Sequence, residues 1–165
     1  MEDLFYEVFT DLPRQGPGDD ESTQKAASMV LEIPKYPKIL DVGCGTGGQT
    51  LELAKYFGGT IYAVDNHQPY LDSLYAEARL KGFGDIIKCI NANMLEPDFI
   101  NGKFDLIWAE GSIFVVGFKE GLYAFKKMLN PTGYIAVSEV CWLKDNPPDD
   151  LLEFWNREYP AIRDI

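Results

Sequence analysis

The chain has 165 residues, of which 46% are hydrophobic and 25% charged, and this is the composition of one ordinary globular domain rather than of a disordered chain. Its formal net charge of −11 argues against an anionic partner such as nucleic acid or an acidic membrane surface. Three scattered cysteines without a Cys-x-x-Cys pair, and one histidine, make a disulfide framework or a metal site unexpected.

The compartment is predicted from what the sequence lacks. No apolar run reaches membrane-spanning length, and the acidic start MEDLFYEVF is unlike a signal peptide. We therefore expect a cytoplasmic protein that has no membrane partner.

The chain before the first strand predicts two helices. A short amphipathic helix is expected over residues 4–9, where apolar residues fall at helical spacing. A loop rich in Pro, Gly and acidic residues follows at 13–22. The second helix is expected over 23–33, with Asp20 or Ser22 as its N-cap.

From residue 38 onward, apolar strands alternate with amphipathic helices. The predicted strands cover residues 38–42, 60–65, 86–90, 104–109 and 134–142. The predicted helices between them cover 48–57, 69–80 and 118–129. The apolar stripe of the middle helix is formed by Leu71, Leu74, Tyr75 and Ala78. Strands that are apolar on both faces and alternate with helices indicate a doubly wound α/β domain, which binds its ligands at the carboxyl ends of the strands.

The glycine-rich turn after the first strand carries the main functional signal. The stretch ILDVGCGTGGQT, residues 39–50, satisfies G-x-G-x-x-G through Gly43, Gly45 and Gly48. Asp65 follows twenty residues after Gly45, at the end of the second strand. This spacing fits a dinucleotide site in which the carboxylate binds ribose hydroxyls, although the glycines could also serve only the tight turn.

Asp41 separates two classes of cofactor. It stands two residues before the first glycine, and unit charges about 4 Å apart at an effective dielectric constant near 20 interact by ~4 kcal/mol, which would repel a diphosphate. Glu110 ends the fourth strand and is expected to face the same crevice, and the glycine loop contains no Lys or Arg. The pocket therefore favours a ligand that carries an amine and a ribose.

S-adenosyl-L-methionine is such a ligand. Asp41 would help to bind its amino-acid end, and Asp65 would bind the ribose diol. Backbone N–H groups of the glycine turn would meet the methionine carboxylate.

At these residues the sequence resembles the class I S-adenosylmethionine-dependent methyltransferases. The first motif of that family is similar to ILDVGCGTGGQT, and its later motifs resemble AVDNHQPYL (63–71), NANMLEP (91–97), FDLIWAEGSIF (104–114) and LNPTGYIAVSE (129–139). The resemblance covers about residues 20 to 142. It implies that Asn66, Asn93 and Met94 lie beside adenine, although many relatives have Asp where Asn93 stands. The predicted cofactor-binding residues are Asp41, Gly43, Cys44, Gly45, Gly47, Asp65, Asn66, Asn93, Met94 and Glu110.

The resemblance also defines the expected architecture, a doubly wound, mainly parallel Rossmann-like sheet with helices on both faces. We expect one domain over 1–165, with an N-terminal helical lid (1–33), a cofactor-binding core (38–142) and a C-terminal helix (147–165). The family fold continues past the fifth strand with a helix and two more strands. We expect a truncated chain that lacks those last two strands and leaves the fifth strand as an exposed apolar edge.

Catalytic residues are not identified by the sequence. Methyl transfer is an in-line displacement that requires mainly positioning of the acceptor. Glu110 is the one candidate for a general base. His67 is expected to cap a helix or lie at the surface, and Trp142 is a candidate pocket wall. The aromatic residues Phe5, Tyr6 and Phe9 are expected to pack in the core or lid.

We therefore predict a methyltransferase that uses S-adenosyl-L-methionine and releases S-adenosyl-L-homocysteine. The fourth strand ends in AEGS (109–112) and lacks the Asn/Asp-Pro-Pro-aromatic signature that the resemblance links to amide or adenine-amine acceptors. With the acidic charge, this favours a small-molecule acceptor. An NAD(P)-dependent oxidoreductase and a non-catalytic S-adenosylmethionine-binding or interaction module are the alternatives. The acceptor atom and the oligomeric state are not predicted.

Overall fold

The computed structural model describes residues 6, 8–9, 12–96 and 100–164, and it contains one main sheet with helices on both faces. The helices are α1 (Asp20–Ser28), α2 (Gly48–Phe57), α3 (Gln68–Leu80), α4 (Phe118–Met128) and α5 (Asp149–Glu158), with a 3₁₀ helix at Ile113–Val115. The strands are β1 (Lys38–Val42), β2 (Thr60–Asp65), β3 (Ile87–Asn91), β4 (Phe104–Ala109), β5 (Leu129–Val137), β6 (Cys141–Trp142) and β7 (Arg163–Asp164). The predicted helix at 4–9 lies mostly outside the described residues.

The five main strands are parallel and stand in the order β3-β2-β1-β4-β5. β1 is the central strand. β2 and β3 follow on one side of it, and β4 and β5 lie on the other side. The change of side between β3 and β4 opens a crevice at the carboxyl ends of the central strands, because the loops there leave in opposite directions. The predicted doubly wound, parallel fold is confirmed.

The core consists of two layers, one on each face of the sheet. Side chains of α1, α2 and α3 pack on one face and those of α4 on the other. Strand β1 alternates between the layers, since Ile39 packs in the first and Leu40 and Val42 in the second. Asp41 therefore points to the same face as Ile39, toward α2.

Strand β5 is an edge strand, because within the described part of the chain it pairs only with β4. The short strands β6 and β7 pair with each other in a separate sheet. The exposed edge expected from the sequence is confirmed in this respect. The predicted bounds 134–142 are wrong, since the strand runs from Leu129 to Val137 with a register shift between Phe104 and Leu106. Pro131 and Gly133 lie in the irregular part, where neither residue suits regular pairing.

Helix α1 also differs from its predicted bounds. Its N-cap is Asp19, whose carboxylate accepts a hydrogen bond from the backbone N–H of Ser22 (2.7 Å). The helix ends at Ser28, five residues earlier than expected. Pro34 disfavours helical geometry at the residue before it, and the chain has already unwound by then.

None of the described helices combines the length and the apolar character needed to cross a membrane.

Candidate functional site at the carboxyl ends of the strands

A cavity of about 380 Å³ lies at the carboxyl ends of the central strands, beneath a segment formed by residues 14–18. Its size is in the range of roughly 300–1,000 Å³ that ligand pockets occupy. All the predicted cofactor-binding residues line it except Asp41 and Gly47. The predicted residues that line the cavity are Gly43, Cys44, Gly45, Asp65, Asn66, Asn93, Met94 and Glu110. The topology thus brings together residues that lie far apart in the sequence.

The glycine turn allows a close approach of backbone to the cavity. Gly43, Gly45 and Gly47 all have positive φ angles, of 71°, 55° and 86°. A Cβ atom on Gly43 would lie 2.5 Å from the Cβ of Ser112. A Cβ on Gly47 would lie 2.1 Å from Cδ1 of Leu74, so this glycine serves the packing of the turn against α3 and does not line the cavity.

Asp65 is held at the end of β2 by backbone donors. Its Oδ2 accepts a hydrogen bond from the N–H of Gly45 (2.9 Å), and its Oδ1 accepts one from the N–H of His67 (2.9 Å). A carboxylate has about four lone-pair positions, so each oxygen retains capacity for a second donor. The two donors therefore orient the carboxylate and leave it able to accept further hydrogen bonds.

Asp41 lies beneath the cavity and is completely buried. Its Oδ2 accepts a hydrogen bond from Thr50 Oγ1 (2.6 Å), whereas its Oδ1 has no partner in the part of the chain that the structure describes. Burial first, and then the charges of Glu110 and Asp65, raise the pKa of Asp41 to about 7, against the opposing effect of the Thr50 hydrogen bond and of the nearby Gln49 side chain.

This placement corrects the expectation that Asp41 faces the ligand with a full negative charge. The side chain does not line the cavity, because strand alternation turns it toward α2. With a pKa of about 7 the carboxyl is also partly protonated near neutral pH. The charge argument against a diphosphate is therefore weaker than the sequence suggested.

Glu110 anchors the segment that covers the cavity. Its carboxylate accepts hydrogen bonds from Arg14 Nη1 (2.8 Å), Thr23 Oγ1 (2.9 Å) and Trp108 Nε1 (3.0 Å). Its side chain is only 14% exposed. The structure thus gives this candidate base a structural task that occupies most of its lone pairs.

Arg14 lines the cavity and was not among the predicted site residues. Besides Glu110 it binds Asp20 through Nη2 (2.9 Å). It therefore supplies a positive charge beside the glycine turn, where none was expected. Arg14 lies 96 residues from Glu110 in the sequence, so no local pattern indicates that pairing.

Gln15, the next residue, closes over the glycine turn. Its Oε1 accepts hydrogen bonds from the N–H (2.8 Å) and the Oγ1 (2.9 Å) of Thr46. Its Nε2 donates to the carbonyl oxygens of Phe9 (3.3 Å) and Leu12 (3.0 Å). The hydrogen bonds of Arg14 and Gln15 thus hold residues 14–18 in place over the cavity, and we call this segment the cover.

The opposite wall of the cavity follows β3. Asn93 Oδ1 accepts a hydrogen bond from the N–H of Leu95 (3.0 Å), which turns the chain sharply. Met94, Ala92 and Leu95 give this wall an apolar surface, and Asn66 lies at its edge. The residues for which the resemblance implies adenine contacts, Asn66, Asn93 and Met94, therefore lie together on this wall.

Other aromatic and polar candidates have different positions. His67 is the N-cap of α3, makes no capping bond through its side chain, and stacks on Tyr6 with ring centroids 3.7 Å apart. Tyr6 lines the cavity, whereas Phe9 and Trp142 do not, and Phe5 lies outside the described residues.

The predicted stripe of α3 is wrong at one position. Tyr75 is 49% exposed, whereas Tyr70 is 4% exposed and lines the cavity. Tyr70 and Leu74 stand at i and i+4, a spacing that could have identified Tyr70 as an inward-facing residue.

Within the described residues, no cluster of three or more His, Cys, Asp or Glu side chains is placed to hold a metal ion.

Comparison with known proteins identifies the class to which this site belongs. The profile of a family described as "Methyltransferase domain" matches residues 39–133, which is more than half of the chain. The chain therefore belongs to this methyltransferase family. The matched region contains the glycine turn, Asp65, the wall after β3 and Glu110.

Curated relatives are longer than this chain. It is similar to a sterol 24-C-methyltransferase of Yarrowia lipolytica, with 29% identity over 114 residues that cover 68% of this chain and 29% of the relative. It is also similar to a phosphoethanolamine N-methyltransferase of Plasmodium falciparum, with 28% identity over 150 residues that cover 88% and 55%. The chain thus spans less than a third of the sterol relative and about half of the other.

Solved structures share the fold. A methyltransferase from Geobacter sulfurreducens in complex with S-adenosyl-L-homocysteine matches with a TM-score of 0.84 and 18% identity, covering 99% of this chain and 66% of that one. A geranyl diphosphate C-methyltransferase from Streptomyces coelicolor matches with a TM-score of 0.72 and 19% identity, covering 87% and 54%.

Proposed function

We propose that this chain binds S-adenosyl-L-methionine in the cavity and transfers its methyl group to a small-molecule acceptor, leaving S-adenosyl-L-homocysteine. The observation that carries the proposal is the carboxylate of Asp65, which two backbone N–H groups orient at the edge of the cavity while its outer lone pairs stay available. A ribose diol needs such an acceptor pair.

Other residues of the cavity fit the same ligand. Gly43, Cys44 and Gly45 bring the backbone of the glycine turn to the wall of the cavity. Asp41 is buried beneath the turn and does not line the cavity, so we assign it no contact with the ligand. Asp65 would hold the ribose, the wall at Asn93 and Met94 the adenine, and Arg14 a carboxylate.

Catalysis then rests on positioning. When bound, S-adenosyl-L-methionine supplies a methyl carbon that its sulfonium already activates. The protein must exclude water and hold the acceptor in line with that carbon, and such orientation contributes several kcal/mol, up to about 7–11 kcal/mol in well-oriented systems. Residues 14–18 provide the exclusion by covering the cavity. We assign no general base, because Glu110 is occupied by three donors.

A small-molecule acceptor is supported by the names of the relatives and by charge. Sterol, phosphoethanolamine and geranyl diphosphate methyltransferases are among the proteins similar to this chain. The net charge of −11 disfavours a polyanionic acceptor such as nucleic acid. Neither alternative function is favoured, because the chain belongs to a methyltransferase family.

The cytoplasmic location expected from the sequence remains a proposal. Cys44, Cys89 and Cys141 are all free in the structure. Free cysteines support a reducing compartment.

Thermal unfolding with added ligands tests the proposed function. S-adenosyl-L-homocysteine at about 100 times its Kd should stabilise the protein by about 2.7 kcal/mol. For a chain of this length we expect a rise in Tm of about 5–10 °C. NAD and NADP serve as controls and should leave Tm unchanged. Stabilisation by a nicotinamide cofactor alone, or by none of the ligands, would contradict the proposal.

A further inference from the structure

Tyr70 is a buried polar residue of the cavity that was not among the predicted cofactor-binding residues, although it lies within the motif at 63–71. It lies in the first turn of α3, and the edge of its ring contacts Tyr6 (centroids 5.8 Å apart) and His67 (4.5 Å). Only 4% of the residue is exposed, and it lines the cavity on the side of Asp65. The ring of Tyr70 is thus packed against two neighbouring rings at the wall of the cavity.

The hydroxyl of Tyr70 has no hydrogen-bond partner in the part of the chain that the structure describes. Folded proteins pair the large majority of their buried polar side-chain atoms, so each exception calls for a physical reason. Phenylalanine would fill the same space without an unpaired group. A partner that enters the cavity from outside the chain accounts for the tyrosine.

The surroundings define the chemistry of that partner. The Asp65 carboxylate can only accept hydrogen bonds, so a diol bound to it must be the hydrogen-bond donor. The oxygens of the diol then keep lone pairs that can accept a hydrogen bond from another group. Burial first, and then the charge of Asp65 and the neighbouring Tyr6, raise the pKa of Tyr70. The phenol therefore stays protonated and able to donate at physiological pH. A donor beside an acceptor pair is complementary to a vicinal diol.

We propose that Tyr70 Oη donates a hydrogen bond to one oxygen of the ribose diol, while the diol hydroxyls donate hydrogen bonds to Asp65. Tyr70 is thus a specificity-determining residue for the sugar of the cofactor, outside the glycine turn and the acidic strand end. This inference rests on the proposed function, and it adds a residue that was not among the predicted cofactor-binding residues.

The test compares two tyrosines of one helix with two kinds of ligand. Tyr70→Phe removes the buried hydroxyl, and Tyr75→Phe makes the same change at a half-exposed position of α3. Calorimetry measures the Kd of each variant for S-adenosyl-L-homocysteine and for its 2′-deoxy and 3′-deoxy analogues. We expect Tyr70→Phe to raise the Kd for the parent ligand by roughly two- to tenfold, with no change for Tyr75→Phe. For one deoxy analogue, wild type and Tyr70→Phe should bind equally.

Three results would overturn the inference alone, and a fourth would overturn it together with the proposed function. The first is an equal Kd of wild type and Tyr70→Phe for S-adenosyl-L-homocysteine. The second is a difference in Kd between the two proteins that is as large for both deoxy analogues as for the parent ligand. Both results would leave the proposed function intact. A large drop in the Tm of ligand-free Tyr70→Phe would show that the hydroxyl already has a partner within the protein. Failure of the wild type to bind S-adenosyl-L-homocysteine would instead overturn the proposed function, and this inference with it.

Discussion

Asp65 and Glu110 are carboxylates at strand ends that line the same cavity, yet different parts of the molecule hold them. The donors to Asp65 are backbone N–H groups of the glycine turn and of the start of α3. The donors to Glu110 are side chains, two of which are Arg14 from the segment 14–18 and Thr23 from α1. The fold itself thus orients one acid, and the cover of the cavity engages the other.

The difference assigns the two acids different tasks. Backbone donors reach Asp65 from one side and leave its outer lone pairs for a ligand. Arg14, Thr23 and Trp108 surround Glu110 and leave it little capacity. Position at a strand end is therefore not enough to identify a ligand-binding acid, because the partners already bound to it decide what it can do.

The largest effect should follow from Asp65→Ala. If the carboxylate accepts both ribose hydroxyls, its loss removes two charge-assisted hydrogen bonds of about 1.5 kcal/mol or more each. We expect the Kd for S-adenosyl-L-homocysteine to rise about 100-fold or more, measured by calorimetry. Asp85→Ala, at an exposed carboxyl distant from the cavity, is the control. Unchanged affinity in a folded Asp65→Ala protein would remove the ribose assignment.

Asp41 is a third carboxyl of the site, and it differs from Asp65 and Glu110 because it is completely buried and does not line the cavity. Its folded-state pKa of about 7 lies above the ordinary value of 3.8. Between those values the folded protein keeps a proton that the unfolded chain releases. The resulting stability is fully present below about pH 4 and is lost as the pH rises through about 7.

Asp41→Asn should remove this pH dependence. From pH 5 to pH 8 the wild type should lose about 2 kcal/mol of unfolding free energy that the variant retains. Urea denaturation of both proteins at the two pH values measures the difference, and Asp85→Asn is the control. Parallel pH profiles for wild type and Asp41→Asn would show that Asp41 is not a buried, protonated carboxyl.

Most of the fold could be predicted because its signals are local. The bounds of β1, β2, β4 and α2 agree with the predictions, since apolar runs and glycine punctuation mark where those elements begin and end. The fifth strand was misplaced because its first residues directly follow α4 and pair across an irregular register. Register depends on the partner strand, which the sequence of β5 alone does not contain.

The site could be predicted only as far as it follows from strand ends and the glycine turn. Asp65 and the residues after β3 lie where that rule places them. Asp41 was expected to face the ligand, whereas its side chain is turned toward Thr50 in α2 and does not line the cavity. Arg14 and Gln15 could not be found, because their contacts with Glu110 and Thr46 join segments distant in sequence.

The smallest predicted effect concerns the cover itself, through the ion pair between Arg14 and Glu110. The two side chains are 12% and 14% exposed, so water screens them less than it does a surface pair. A double-mutant cycle with Arg14→Met and Glu110→Gln should give a coupling free energy of about 1 kcal/mol in urea denaturation. The same cycle at Arg157 and Glu158, which are 67% and 50% exposed, should give a value near zero. Equal couplings at the two pairs would mean that Glu110 does not fasten the cover, and the contrast between it and Asp65 would then be lost.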